Sequence, residues 1–408
     1  MHLDRRMIVA GAAAGLAGAA LPAAAPGATT PSTAPRAAAA AAPPTSATAI
    51  LVDSFLPAQS SNPPTPAQDT AAVQGAIAQA AATGGVVVFG ARTYTLAATI
   101  ALPSGISLLG TSIGARSINA PGPGTIITRV PNGGIMFLVV GMPASGSTPV
   151  ALIRSITFDS IFFNGADAAA DLMQLSYAQY IVITRCAFTN TLGRHLSLIT
   201  VFDSRIEDTD FLSGGNAATQ TPMIEISTSG QDAQTANNIY FVGCRHETFP
   251  YIALMVTGAN LNTNNIFLTD CKYESTSNAE FIHIENTAGI FFNAVLLFLQ
   301  NGTARALLYF SKARGIIGDL SLGAARTADL ANYLLFDEGS GAGELKIFVN
   351  DLSNGTTAPN TPVIDEVVSF VGGSPPPVFE NGNFVAVAIY GHNFNATPPF
   401  STLWITPA

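Results

Sequence analysis

The hexapeptide FDSIFF at residues 158–163 begins a pattern that returns along the middle of the chain. In each copy an apolar residue is followed three positions later by an apolar residue, a cysteine or a threonine, and five positions later by a further, mostly aromatic residue. The other copies are ITRCAF at 183–188, IEDTDF at 206–211, FVGCRH at 241–246, LTDCKY at 268–273, FNAVLL at 292–297 and IGDLSL at 317–322. Their starts lie 23 to 35 residues apart, a period typical of a solenoid built from stacked coils.

A second series of short strands runs through the same region with the same period. Its members are MQL at 173–175, LSL at 196–198, IEI at 224–226, LMV at 254–256, IHI at 282–284 and LYF at 308–310. Their central residues are 23, 28, 30, 28 and 26 residues apart. Because side chains alternate across a strand, the outer two residues of each triplet face the core and the central one faces outward. Two strand series with one period predict parallel strands that stack coil upon coil.

The N-terminal part of this region combines one helix with short strands. Asp69 is predicted to cap a helix over 69–82, which Gly84 ends, and strands are predicted at 86–89, 94–96, 100–102 and 106–109. The stretch DTAAVQGAIAQAAATGGVVVFGARTYTLAATIALPSGISLLG at 69–110 resembles the N-terminal cap and first coils of the pectate-lyase-like right-handed parallel β-helix superfamily. The resemblance implies an all-β fold with a short capping α-helix. It also implies an exported bacterial carbohydrate-active protein, since this superfamily mostly holds polysaccharide lyases, glycoside hydrolases and epimerases.

The ends of the chain differ from the repeated region. Residues 1–25 resemble a twin-arginine signal peptide, with Arg5 and Arg6 before an Ala/Gly-rich stretch; a membrane anchor is the alternative. Residues 26–48 form a Pro/Ala/Thr-rich linker, 49–375 the β-helix domain, and 376–408 a C-terminal cap or a subunit contact. No later stretch is apolar enough to span a bilayer. We therefore expect a periplasmic or secreted protein without a membrane span once the signal is removed.

Composition restricts the classes of partner. Charged residues make up 11% of the 408 residues, the net charge is −9, and only three lysines occur, which argues against binding to a nucleic-acid backbone. The hydrophobic fraction of 48% argues against a disordered chain. With 24 phenylalanines, among them Phe291, Phe298 and Phe400, the chain has more aromatic side chains than a narrow solenoid can bury. We expect a homo-oligomer, specifically a trimer.

Cys186, Cys244 and Cys271 all take the same inward position of the first series. No CxxC spacing is present, which argues against a zinc site. They are either buried free thiols, or Cys244 and Cys271, on adjacent coils, form a disulfide.

Candidate functional residues follow from the columns that stacking produces. The outward column of the second series reads Gln174, Ser197, Glu225, Met255, His283 and Tyr309, and the column two positions further includes Ser176, Thr200 or a neighbour, Ser227, Thr257, Glu285 and Ser311. In the first series the outward residues are Asp210, Arg245 and Lys272 in one column, and Leu212, Glu247 and Glu274 in the next. This concentration of ionisable groups in a chain with few of them is the main functional signal.

Each group also has a structural interpretation. Arg245 with Glu247, and Lys272 with Glu274, are alternatively surface ion pairs, and His246 is alternatively a core histidine. The acidic cluster of Asp203, Glu207, Asp208 and Asp210 either binds a cation such as Ca²⁺, which no motif supports, or forms a solvated turn. No cofactor and no metal ligand set is predicted.

Three functions remain open at this point. A lyase needs a base, His283 or Tyr309, and a charge stabiliser, Arg245 or Lys272, with Asp210 also in contact with the substrate. A glycoside hydrolase needs paired carboxylates, either Glu247 with Glu274 or Glu225 with Glu285. The third is a non-catalytic glycan-binding or structural β-helix. An acidic chain with three lysines suits a polyuronate poorly, which favours a neutral or mixed polysaccharide or oligosaccharide, of the fructan type for example.

Overall fold

The computed structural model describes residues 48–58, 63–113, 123–131, 133–259, 261–276, 279–300, 304–324, 334–336, 341–351, 368–370, 385–392 and 401–405. Within them lie a 3₁₀ turn at Val52–Phe55, one helix, α1, at Pro66–Thr83, and 28 strands. The strands are β1 Ala49–Leu51, β2 Val86–Val88, β3 Thr93–Leu96, β4 Ile100–Ala101, β5 Ser107–Leu109, β6 Ile126–Arg129, β7 Phe137–Val140, β8 Ile153–Asp159, β9 Phe162–Ala168, β10 Met173–Thr184, β11 Ala187–Thr191, β12 Leu196–Glu207, β13 Asp210–Gly214, β14 Ile224–Ser227, β15 Ala236–Val242, β16 Arg245–Glu247, β17 Leu254–Thr257, β18 Thr263–Thr269, β19 Lys272–Ser275, β20 Ile282–Glu285, β21 Thr287–Leu299, β22 Leu308–Ser311, β23 Arg314–Ala324, β24 Leu334–Phe336, β25 Gly341–Asp351, β26 Val368–Phe370, β27 Val385–His392 and β28 Ser401–Ile405.

The strands stack into three parallel sheets, which together form the predicted right-handed parallel β-helix. Sheet A follows the order β1, β2, β5, β8, β10, β12, β15, β18, β21, β23, β25. Sheet B follows β3, β6, β9, β11, β13, β16, β19, β21, β23, β25. Sheet C follows β4, β7, β10, β12, β14, β17, β20, β22, β24, β26. The longest strands continue from one sheet into the next, so β10 and β12 serve sheets C and A.

The bends between sheets repeat from coil to coil. Where sheet A turns into sheet B, one residue per coil adopts a positive φ, and a second such column lies inside sheet A. The column at the bend consists of Ser160, Arg185, Asp208, Gly243, Asp270 and Ala294. The column inside sheet A consists of Ser155, Tyr180, Asp203, Asn238, Asn265, Gly289 and Gly315. Asp, Asn and Gly tolerate the left-handed region better than most residues, which explains why they recur in these columns.

The predicted inward column of the first series is a continuous stack of rings. Phe163, Phe188 and Phe211 stack at centroid distances of 4.8 and 5.1 Å. His246 continues the stack, 5.0 Å from Phe211 and 4.1 Å from Tyr273. His246 is therefore fully buried, and burial lowers its pKa to about 3. The structure therefore confirms the prediction that His246 is a core histidine.

The three cysteines lie in the neighbouring inward column and are buried free thiols. No disulfide joins Cys244 and Cys271. Burial raises the pKa of both Cys186 and Cys244, as expected for thiols in an apolar core.

The helix begins at Pro66, three residues earlier than predicted. Thr65, not Asp69, is its N-cap, and Thr65 and Gln68 form a reciprocal capping box. Asp69 instead lies buried in the first turn, where its carboxylate accepts from the backbone of Thr95 at 2.8 Å and lies 2.9 Å from Arg92. The predicted end at Gly84 is correct, with φ +75° at that glycine.

Two positions of the predicted columns are off by one residue. Gly318, not Ile317, pairs with Phe292, because the bend of that coil is one residue shorter than the bend before it. Ile317 is accordingly 44% exposed. Likewise Ile199, not Thr200, lies between Ser176 and Ser227 on sheet C.

No helix among the described residues has the length and apolar character needed to cross a membrane. Of the predicted signal (1–25) and linker (26–48), residues 1–47 lie outside the described residues, as does Phe400. In the segment 376–408, β27 pairs with β25 in parallel and β28 pairs with β27 antiparallel. The proposed domain boundaries stay predictions.

Candidate functional site

The outward column of the second strand series is continuous on sheet C. Strand pairing places Gln174 beside Ser197, then Glu225, Met255, His283 and Tyr309, in the predicted order. We call this row column C. Neighbouring parallel strands lie ~4.8 Å apart, so column C is about 24 Å long. That length suits several units of an extended polymer.

His283 lies near one end of column C in a group of polar side chains. Its Nε2 is 3.7 Å from the Glu285 carboxylate, and its ring lies 4.6 Å from the Tyr309 ring. Burial lowers the pKa of His283, and the charges of Glu280 and Glu285 oppose that shift. The imidazole is therefore neutral near pH 7 and able to accept a proton. His283 is 16% exposed and Glu285 40%, so Glu285 is the group that a ligand meets first.

Two residues of this group were missed by sequence reasoning. Glu280 comes three residues before His283, and Arg305 binds its carboxylate at 2.9 Å. The Arg305 guanidinium also lies 4.8 Å from the centre of the Tyr309 ring. Counting three residues back from each member of column C gives a further column that includes Asp171, Arg194 and Glu280. That column would have pointed to Glu280. Arg305 lies one position outside that column.

Glu225 lies two strands from His283 and has its own partner. Arg194 Nε is 2.5 Å from Glu225, and Arg194 Nη1 is 3.3 Å from Asp171. The backbone amide of Arg194 also donates to Asp171 at 2.8 Å. The Arg194 side chain is thus held between two carboxylates. Its ion pair with Glu225 lies at the middle of column C.

A loop and a turn form a pocket at the other end of column C. The loop after β7 folds back on itself, with Met142 and Ala151 exchanging backbone hydrogen bonds of 2.8 and 3.0 Å. The carboxylate of Asp232 then accepts from the backbone of Ala144 at 2.9 Å and from the Tyr177 hydroxyl at 3.2 Å. The pocket that the loop and the turn border is open to solvent and measures about 330 Å³, and Gln174 is one of its lining residues.

The remaining candidates lie on sheet B, away from His283. Strand pairing places Asp210, Arg245 and Lys272 in one column and Leu212, Glu247 and Glu274 in the next, as predicted, but Asp210 and Leu212 are buried. Arg245 is 3.2 Å from Asp210 and 3.6 Å from Glu247, and Lys272 is 3.1 Å from Glu247 and also contacts Glu274. Burial alone would raise the pKa of Glu274, but hydrogen bonds from Lys272 and Gln300 outweigh burial and lower the pKa. No ion pair joins this sheet B network to the His283 group among the described residues.

Asp203, Glu207 and Asp210 of the acidic cluster each have partners of their own. Asp203 accepts from Gln179 at 2.8 Å and from Asn238 at 2.9 Å, and Glu207 pairs with Arg205. The described residues contain no group of three or more His, Cys, Asp or Glu side chains arranged to hold a metal ion.

Comparison with known proteins identifies the fold. No family model and no curated protein matches the chain. Among solved structures, Geobacillus virus E2 ORF18 matches with a TM-score of 0.59 at 15% identity, over 85% of this chain; this chain spans 62% of that one. The DFA-IIIase of Arthrobacter chlorophenolicus A6 without its lid matches with a TM-score of 0.54 at 12% identity, over 84% of this chain and 98% of that one. The Azotobacter vinelandii mannuronan C-5 epimerase AlgE4 A-module matches with a TM-score of 0.52 at 13% identity, over 84% and 94%. The structural neighbours thus include carbohydrate-active enzymes, and the chain itself has a parallel β-helix fold.

Proposed function

We propose that the protein is an exported enzyme that cleaves a neutral or mixed glycan along sheet C, by a lyase reaction in which no water enters the products. The observation that carries the proposal is the His283 group. A neutral imidazole lies 3.7 Å from an exposed carboxylate and beside an arginine, at one end of a polar column about 24 Å long.

The proposed reaction is an intramolecular transfer. Glu285 accepts the proton of a sugar hydroxyl and passes it to His283, and the sugar oxygen attacks the neighbouring glycosidic carbon. The bond from that carbon to the leaving oxygen breaks, and the proton returns to the leaving oxygen. Arg305 stabilises the negative charge that develops, the role that the sequence suggested for Arg245 or Lys272. Tyr309 holds the imidazole through ring contact.

A screen of polysaccharides in heavy-oxygen water tests the proposal. Mass spectrometry of the products reports whether solvent oxygen has been incorporated. We expect cleavage of an uncharged glycan without incorporation. Incorporation at the new reducing end indicates hydrolysis, and the absence of cleavage on a wide panel contradicts an enzymatic role.

A glycoside hydrolase is the second candidate. It is favoured by the contact of Lys272 with both Glu247 and Glu274, which brings two carboxylates of adjacent strands to one point. In that case the heavy oxygen enters the product, and Glu247→Gln abolishes cleavage while His283→Ala does not.

The proposal includes a homotrimer after export. Its support is an outward column of sheet A in which Tyr240, Phe267 and Phe291 stack at 4.5 and 4.6 Å between ring centres, followed by the exposed Ile317. Light scattering of the mature protein at micromolar concentration is expected to give three chains; a monomeric mass contradicts it.

A further inference from the structure

Three of the uncharged polar side chains that line the pocket at the Gln174 end of column C have no hydrogen-bond partner among the described residues. Gln174 and Ser176 lie on sheet C, and Gln231 lies in the turn that forms the wall. Within the described part of the chain, none of these three side chains makes a hydrogen bond. Two amides offer both donors and acceptors, and a hydroxyl offers either. Such groups match the adjacent hydroxyls of a sugar.

The rest of the lining combines apolar residues with Gly141, Tyr177 and Ser229, and the last two pair with each other through their hydroxyls. Val140, Pro143 and Ile199 border the pocket, and Val140 remains 54% exposed although it is an aliphatic residue. A pocket with an apolar surface and a few placed polar groups binds a ligand that has both kinds of surface. A sugar ring, with apolar C–H faces and hydroxyls at its edge, is a ligand of this kind.

Charge excludes an acidic sugar. The lining residues, all of them described, include no lysine or arginine. The nearby Asp232 carboxylate is already bound by the Tyr177 hydroxyl and by the amide of Ala144. A uronate carboxylate placed here would lose its hydration without gaining a cation, which costs free energy.

The pocket is held in shape by strained and crowded backbone. Tyr177 has φ +50°, a costly conformation for an aromatic residue. Gly141 lies so close to it that a Cβ there would be 2.4 Å from the Tyr177 carbonyl oxygen. Strain of this kind is retained where the surrounding structure enforces it, often at binding sites.

We propose that this pocket is a subsite for an uncharged sugar unit of the glycan. The inference rests on the proposed function and names its substrate class. Four strand spacings, about 19 Å, separate Gln174 from His283. A glycan held in the pocket therefore extends along column C, past the Arg194–Glu225 pair, to His283.

Calorimetric titration of the full mature protein tests the subsite. The His283→Ala variant is the parent, so that binding is read without turnover. The probes are a fructo-, a cello- and a malto-oligosaccharide, with an oligogalacturonide of similar length as the charged counterpart. We expect at least one uncharged probe to bind and the oligogalacturonide to bind more weakly. Gln174→Ala should weaken binding of that probe about five- to tenfold, as expected for a lost hydrogen bond or two.

Two further variants keep the result interpretable. Gln231→Ala changes an exposed side chain, leaves folding intact and should also weaken binding; Gln79→Ala, the same change on the exposed side of α1, should not. The subsite is overturned if no uncharged probe binds, if the oligogalacturonide binds more tightly, or if Gln174→Ala and Gln231→Ala both bind like the parent.

The outcome separates the subsite from the proposed function. If binding depends on Gln174 but the wild-type protein cleaves no glycan, the subsite stands and the enzymatic proposal fails. If the wild-type protein cleaves a glycan and both glutamine variants keep its KM, the function stands and the subsite fails.

Discussion

Sheet B and sheet C carry comparable groups of ionisable side chains, and they differ in how those charges are satisfied. On sheet B, Arg245 and Lys272 lie between Asp210, Glu247 and Glu274, so each charge has an opposite charge within contact distance. On sheet C, His283 is held neutral by burial, and its neighbour Glu285 is 40% exposed. Sheet C also has the pocket at Gln174.

The comparison shows why the number of charged residues is a poor guide to chemistry. Ion pairs at a surface neutralise their members and contribute little to stability, about 0–1 kcal/mol each. A group that transfers protons needs an altered pKa and access to a ligand. On sheet C the altered pKa belongs to His283 and the neighbouring Glu285 carboxylate is accessible to a ligand, whereas the charged side chains of sheet B pair with one another.

The largest expected effect is on turnover at sheet C. His283→Ala and Glu285→Gln should each reduce kcat/KM on the cleaved glycan by at least about 10²-fold, because a positioned proton-transfer group contributes 10²–10⁴-fold. Glu207→Gln, the same change in an ion pair on sheet A, is the control and should keep wild-type turnover. Wild-type turnover in both sheet C variants would move the active site elsewhere.

The next effect concerns the core beneath sheet B. His195 and His246 are fully buried, and burial lowers the pKa of each to about 3. Between pH 6.5 and pH 3 the unfolded chain therefore binds more protons than the folded one, and acid destabilises the fold by up to about 1.4 kcal/mol per pH unit for each histidine. His246→Phe fits the aromatic stack and removes one of these contributions.

Chemical denaturation of the wild type and of His246→Phe at several pH values measures this effect. The free-energy difference between the two proteins should change in favour of the variant as the pH falls from 6.5 to 4. Parallel pH profiles would show that His246 is not held neutral in the fold.

A smaller effect is expected in the pH profile of activity. The base must be neutral, and burial places the pKa of His283 below its usual value of 6.5, so the acidic limb of kcat/KM should have its midpoint below pH 6.5. Glu280, Glu285, Arg305 and Tyr309 face the imidazole, and the charge of Glu280 raises its pKa. Glu280→Gln should therefore move the limb to lower pH, whereas Glu274→Gln on sheet B should leave it in place. A shift to higher pH would contradict the assignment of His283.

The smallest effect is expected from breaking the sheet B network. Lys272→Met removes contacts with Glu247 and Glu274, but the lysine is 39% exposed, so we expect a loss of about 0–1 kcal/mol in the free energy of unfolding. Turnover should stay within about twofold of the wild type. A loss of turnover like that of His283→Ala would instead favour the hydrolase with Glu247 and Glu274.

The sequence allows prediction of whatever repeats from coil to coil. Column C and the ring stack of Phe163 to Tyr273 follow from spacing alone, because side chains alternate and successive coils lie in register. Errors occur where a coil changes length, as at Ile317, where one bend has lost a residue. The N-cap was misplaced because Asp69 is as good a cap as Thr65, and only the contacts of Asp69 with Arg92 and Thr95 decide between them.

The parts of the site that could not be predicted lie outside the repeat. The pocket depends on contact between Ala144 and Asp232, which are 88 residues apart and belong to bends from sheet C to sheet A that are longer than those within β10 and β12. Arg305 is one position away from the column that contains Glu280, so its pairing with Glu280 follows from the conformation of a bend. Loop contacts of this kind are set by tertiary packing and leave no periodic signal.

Carboxyl footprinting with and without bound glycan tests most directly whether the ligand lies on sheet C. Labelling of exposed carboxylates with a carbodiimide and an amine, read by mass spectrometry, compares both faces in one sample. Without glycan, Glu225 and Glu247 should react to a similar extent, since they are 22% and 23% exposed. With a saturating uncharged oligosaccharide on the His283→Ala variant, labelling of Glu225 and Glu285 should fall while that of Glu247 and Glu274 stays unchanged. Protection of Glu247 and Glu274 with Glu225 and Glu285 still fully labelled would place the glycan on sheet B and contradict the account.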